Sequence, residues 1–225
     1  MPTYRRHSLV WLSPDGWRQA CHGLDAHADK VAAWGRDRRP AVVRRNDPDA
    51  GPDEVSLAIT LPPEHGHERV RLALRAPAAM VESVSEAPLL ARVLPALPVQ
   101  WQAGAAALEA AASARGLLLR TYGSAAWQAV SGLPYMRKTS DIDLLMAPAS
   151  REQLRAGLTL LAQHAALLPL DGEIMFPSGR AVAWKEWLLV DAAPRGMRVL
   201  VKNSHQVSLQ RADLLLDELQ SGEDQ

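Results

Sequence analysis

The chain has 225 residues, 48% of them hydrophobic, and its 25 Lys and Arg balance 25 Asp and Glu. That length and composition suit a globular protein of one large or two small domains. Zero net charge gives no bulk positive field for nucleic acid or an anionic membrane, so any phosphate site must be local.

Cys21 is the single cysteine, which excludes an internal disulfide and an intrachain cysteine zinc cluster. The first apolar run, ending at Ser13-Pro14, is too short for a signal-peptide core. No other run reaches the roughly 18 residues needed to span a bilayer. The expectation is a soluble cytoplasmic protein with no membrane segment.

Residues 8–12 read as a strand stopped by a turn at Ser13-Pro-Asp-Gly16. A helix is predicted over 25–34, with Gly35 as its stop. Arg36, Arg38, Arg39, Arg44 and Arg45 then bracket a short strand at 41–43. These cations form either a solvated edge or a patch for phosphate or an acidic partner. Residues 46–53 are a loop by their Asn, Asp, Pro and Gly content. Strands follow at 55–61 and 70–74, separated by a Pro/Gly loop that holds His65 and His67. Without a third partner, these histidines read as exposed loop residues rather than metal ligands.

Four prolines between 76 and 98 mark a joint. The predicted domains are therefore 1–94, β-rich and ending in the linker, and 95–225. The second opens with an Ala-rich helix over 99–115, stopped by Gly116. A buried-type strand at 117–121 leads to Gly123-Ser124, and a helix over 125–130 follows. Ser150 begins a helix to His164. Strands at 173–176 and 181–184 are joined by a Pro177-Ser-Gly-Arg180 turn. A bend or short helix at Trp184-Lys-Glu-Trp187, a strand at 199–202 and a terminal helix over 209–219 complete the chain, and 221–225 should fray. The fold class is α+β: a small β-rich domain, then a mixed sheet flanked by helices.

Strand, Gly123-Ser124, helix is a phosphate-site context, because the first N–H groups of a helix have no internal partner. Asp141-Ile142-Asp143 has the two-residue period of a strand, which places both carboxylates on one face and Ile142 on the other. Carboxylates set among Ile142, Leu144 and Leu145 would be costly without a partner. Two such groups suit magnesium, with two ions expected, since this metal binds through one or two carboxylates plus substrate phosphates. The implied chemistry is nucleotidyl or phosphoryl transfer. Asp171-Gly-Glu173 offers a third carboxylate, with Glu173 the first candidate and Asp171 the second.

Gly123-Ser124 followed by Asp141-x-Asp143 resembles the signature of the DNA polymerase beta-like nucleotidyltransferase superfamily, over roughly 99–210. The separation of Ser124 from Asp141 exceeds that in small members, so 132–138 reads as a specialised loop. Arg137 and Lys138 within it read either as solvated loop cations or as partners for a triphosphate tail. Over nearly its whole length the chain further resembles the malonate decarboxylase holo-acyl-carrier-protein synthases, the phosphoribosyl-dephospho-CoA transferases. The residues that carry this are His7-Ser-Leu-Val-Trp-Leu12, Pro40-Ala-Val-Val-Arg-Arg45, Val55-Ser-Leu-Ala-Ile-Thr-Leu-Pro62, Tyr122-Gly-Ser-Ala-Ala-Trp127, Thr139-Ser-Asp-Ile-Asp-Leu-Leu145, Asp171-Gly-Glu173 and Trp184-Lys-Glu-Trp187.

The resemblance implies attack by a serine of the apo acyl-carrier-protein subunit of malonate decarboxylase on 2'-(5''-triphosphoribosyl)-3'-dephospho-CoA, with release of pyrophosphate. Asp141 and Asp143 would hold the metal, and Gly123 and Ser124 the triphosphate. Glu173 would serve as ligand or base. Arg44 and Arg45 would dock an acidic carrier, and Trp127 or Trp184 would stack on adenine, if not simply buried. Two other readings compete: a nucleotidyltransferase that uses an ordinary nucleoside triphosphate and a small-molecule or protein hydroxyl, and a non-catalytic binding module.

Overall fold

Ser13 decides how the chain leaves its first strand, β1 (Leu9–Leu12). Its side-chain oxygen accepts a 3.1 Å bond from the Gly16 amide and Pro14 follows as the first helical residue, so the expected turn is instead the start of helix α1 (Pro14–Ala20). A Ser cap with Pro at the first helical position satisfies one orphan N–H and needs none at the next. Helix α2 (Ala28–Arg36) follows a short 3-10 turn. Strands β2 (Ala41–Val43), β3 (Glu54–Leu61), β4 (Val70–Pro77) and β5 (Val81–Ser85) complete an antiparallel sheet in the order β4-β3-β2-β1-β5. β5 falls in the stretch predicted as a joint. None of its residues is buried, so its sequence lacks the apolar period that marks a strand.

The computed structural model describes residues 4–63, 69–192 and 196–219. His65, His67 and 221–225 lie outside them. The chain divides into two compact units, residues 1–87 with 130–134 and residues 88–129 with 135–225. Residues 88–94, grouped with the first domain by sequence, carry Leu90 and Val93 into the core of the second unit.

In the second unit α3 (Leu90–Val93) and α4 (Val99–Ser113) precede β6 (Leu119–Tyr122), which continues without a loop into α5 (Gly123–Ser131). Then come β7 (Ile142–Met146), α6 (Arg151–His164), β8 (Leu170–Met175), β9 (Ala181–Ala183), α7 (Trp184–Ala192), β10 (Arg198–Lys202), β11 (Val207–Arg211) and α8 (Asp213–Leu216). Ser150 caps α6 by accepting from the Gln153 amide, as its sequence predicts. The sheet order is β11-β10-β9-β8-β7-β6. Only β7 and β8 run parallel, and α6 supplies the crossover that a parallel pair requires.

The predicted terminal helix over 209–219 is corrected. Residues 207–211 pair with β10 one for one, Leu209 opposite Leu200, and only 213–216 are helical. Leucines at 209, 214, 215 and 216 mimic helical spacing, but the cross-strand partner overrides it.

Register sorts the second sheet into two faces. Leu119, Thr121, Ile142, Leu144, Met146, Leu170, Ile174, Val182, Val199 and Val201 are all buried. Apart from Thr121, they share one core cluster with α4 and α6 residues such as Leu108 and Leu158. Each fully buried aliphatic side chain contributes roughly 1.5–3 kcal/mol. Tyr122, Asp143, Asp171, Glu173 and Lys202 take the alternate positions and therefore share the opposite face.

Candidate active site

Gly123 sits where β6 becomes α5, with φ +65°, a backbone conformation that glycine adopts without penalty. Tyr122 before it pairs with Asp143 across the ladder. A Cβ on Gly123 would lie 2.9 Å from Asp143 Cγ and closer still to Oδ2. The Asp143 carboxylate thus rests against the first residue of α5, the end of a helix that favours negative charge. Ser124 is the second helical residue and buried.

Asp141 is exposed and immediately precedes β7, two residues before Asp143. The chain reaches it through a closed turn, in which the Ser140 amide donates to Arg137 O at 3.0 Å and the Arg137 amide to Ser140 Oγ at 2.9 Å. Arg137 and Lys138 are exposed within this turn. Gln128, which sequence reading passed over, anchors the connection. Its Oε1 accepts from the Tyr135 and Met136 amides, both at 2.9 Å, while its Nε2 donates to Ala96 O at 2.6 Å. A polar residue on the buried side of a short helix was its only signal.

The third carboxylate divides differently from the expected order. Asp171 lies directly beside Asp143 in the parallel register, 47% exposed, with Lys185 Nζ 3.5 Å from its Oδ1. Glu173 pairs with Leu145 one step farther along the same face. It is 4% exposed, and its Oε1 accepts from Lys202 Nζ at 2.9 Å. Burial and this ion pair commit Glu173 to Lys202, whereas Asp171 stands open beside the pair. Gly172 between them has φ +137°, and an added Cβ would meet the Leu144 amide nitrogen at 2.6 Å. The glycine lets β8 approach β7 closely enough to bring Asp171 alongside Asp143. Among the described residues no three or more His, Cys, Asp and Glu side chains converge on one point.

Other expected contributors are placed elsewhere by packing. Trp127 is 8% exposed and stacked on Tyr135, with ring centroids 6.2 Å apart, and Trp184 is 3% exposed. Neither offers a free face for adenine. Arg44 is bound bidentately by Asp47, at 2.5 Å on each nitrogen, and donates from Nε to Leu57 O at 2.8 Å. This guanidinium holds the first sheet together instead of projecting toward a partner. Arg45 is exposed.

Residues 5–87 match the family model for the phosphoribosyl-dephospho-CoA transferase MdcG N-terminal domain, and residues 89–213 match that for the C-terminal domain. The chain belongs to the phosphoribosyl-dephospho-CoA transferase family. Relatives with that name agree over most of their length. The protein from Xanthomonas campestris pv. campestris (strain 8004) is 39% identical over 204 residues, 88% of this chain and 90% of the relative. Those from Bradyrhizobium diazoefficiens and Pseudomonas putida are 35% and 32% identical, covering 80% and 89% of this chain and 80% and 90% of their own. No solved structure matches. The phosphoribosyl-dephospho-CoA transferase models meet between residues 87 and 89, where the structure also divides its two units.

Proposed function

We propose that the chain, a transferase by its family, moves the 2'-(5''-phosphoribosyl)-3'-dephospho-CoA group from its triphosphoribosyl precursor to a serine. That serine belongs to the apo acyl-carrier-protein subunit of malonate decarboxylase. The observation that carries the reading is the Asp143 carboxylate lodged against Gly123 at the start of α5, with Asp171 beside it.

The donor set is made of hard carboxylate oxygens, and magnesium is bound by one or two such groups with substrate phosphate oxygens among its other ligands, so the residues fit this metal. Asp141 and Asp143 would hold the metal. When bound, it supplies charge neutralisation on the phosphates and activation of the attacking oxygen.

The serine Oγ forms a bond to the α-phosphorus, and the bond from that phosphorus to the bridging oxygen of the β-phosphate breaks. Pyrophosphate carries away the electron pair. Asp171, half-exposed beside Asp143, accepts the hydroxyl proton. Gly123 and Ser124 present the first turn of α5 to the triphosphate, while Arg137 and Lys138 flank the entry to Asp141.

Incubation of the whole chain with purified apo carrier subunit, magnesium and the triphosphoribosyl precursor tests this. The carrier should gain the mass of one phosphoribosyl-dephospho-CoA group, and pyrophosphate should appear in equal amount. No mass gain, or transfer from an ordinary nucleoside triphosphate instead, contradicts it.

A further inference from the structure

Two lysines lie on the sheet face that carries Asp143, each held by a carboxylate of β8. Lys185, in the first turn of α7, reaches Asp171 at 3.5 Å and lies 5.8 Å from the centre of the Trp184 ring. Lys202, at the end of β10, reaches Glu173 at 2.9 Å. Lys202 did not figure among the residues that the sequence singled out, and Lys185 did so only as part of Trp184-Lys-Glu-Trp187, without a role of its own.

Glu173 is the more unusual partner. Taking a carboxylate out of water is costly, and a well-packed apolar residue at such a position is often no less stable. The pair does have one clear consequence: it fixes the direction of an ammonium group. Lysine has three N–H donors and no acceptor. One of these meets Glu173, and because the Lys202 side chain remains one-third exposed, donors are left for an incoming anion. The Lys185–Asp171 contact joins two side chains that are each about half-exposed. Exposed pairs of this kind are weak and exchange readily for a better anion.

The positions match a polyphosphate laid along the strand. Asp171 and Glu173 are two residues apart on β8, about 6.6 Å, so their lysines mark two successive points on a line that begins beside Asp143. A compact ammonium is a strong partner for phosphate oxygens.

We infer that Lys185 and Lys202 form an anion subsite for the pyrophosphate portion of the substrate, with Lys202 aimed by the buried Glu173. The inference rests on the proposed transfer reaction, because it takes pyrophosphate to be the leaving group. On arrival of the phosphates Lys185 exchanges Asp171 for a phosphate oxygen, which frees that carboxylate, while Lys202 keeps its bond to Glu173 and adds a second.

Calorimetric titration of the whole chain with magnesium pyrophosphate, without acceptor, tests the subsite independently of transfer. Wild type should bind, and Lys185→Met and Lys202→Met should each weaken binding by about tenfold or more, while Lys202→Arg keeps it within a few-fold. Glu173→Gln should weaken binding less than Lys202→Met, because the ammonium survives but loses its aim. Lys185 is exposed, so its variant reports on the subsite even if a change at the buried pair disturbs folding. Absent binding by wild type, or unchanged binding in both methionine variants, overturns the inference. If binding depends on the lysines but the carrier gains no mass, the subsite stands and the proposed acceptor chemistry falls.

Discussion

Gly123 and Asp143 face each other so closely across the β6–β7 ladder that a methyl group on the glycine would collide with the carboxylate. Two requirements therefore meet at one position, a left-handed backbone and the absence of a side chain. Gly132 separates them, since it has φ +71° but nothing within 4 Å of an added Cβ. Gly132→Ala should cost only backbone strain, about 1–3 kcal/mol. Gly123→Ala should cost this and also displace Asp143, lowering transfer by roughly a hundredfold or more. Comparison of melting temperature and initial rate in the two variants checks this, and equal rates would show that the contact has no bearing on the reaction.

Asp47 supplies a pH test of the first unit. Hydrogen bonding from Arg44, with further help from Arg75, holds its carboxyl well below the ordinary carboxylate range, against the opposing effect of burial. A depressed folded-state value means that the stabilisation is fully present above the unfolded value of about 3.9 and is lost as pH falls toward the folded one. Asp47→Asn should lower stability at neutral pH and flatten the fall of melting temperature below about pH 4. Parallel wild-type and variant curves would contradict the linkage. Arg44→Glu should likewise destabilise the fold, unlike the exposed Arg45→Glu.

Asp171 and Glu173 should separate by what each variant loses. Asp171→Asn should reduce kcat by roughly a hundredfold or more, as expected for loss of a general base, with little change in melting temperature. Glu173→Gln should lower the melting temperature, because Lys202 then loses the carboxylate that compensates it. Kinetics and thermal unfolding measured on both variants decide the matter. The reverse pattern would restore Glu173 as the reacting carboxylate.

Sequence reading went furthest where a local rule had no competitor. The strand through Ile142 and Asp143, the Ser150 cap and the turn before Arg180 depend on neighbours in the chain, and the structure shows each of them, with β7 beginning one residue after Asp141. It was weaker where partners lie far off. Sequence reading places Glu173 before Asp171, and it is the register of β8 on β7, with the close Gly172 approach to Leu144, that sets Asp171 beside Asp143 and Glu173 beside Leu145. Lys202 lies 29 residues from Glu173, and nothing local announces that bond. The Arg36–Arg45 run showed the opposite problem, because a linear count of cations does not reveal that Arg44 is already bound to Asp47. Residues 209–211 read as the start of a helix because Leu209 with Leu214, Leu215 and Leu216 mimics helical spacing, until β10 beside them shows otherwise.

The most direct measurement is the rate at which the apo carrier subunit gains mass, with Asp141→Ala and Asp143→Ala compared against wild type at saturating magnesium. The account predicts that wild type modifies the carrier, and that each variant loses at least roughly a thousandfold in rate while its melting temperature stays close to wild type. Transfer at the wild-type rate by either variant would contradict it.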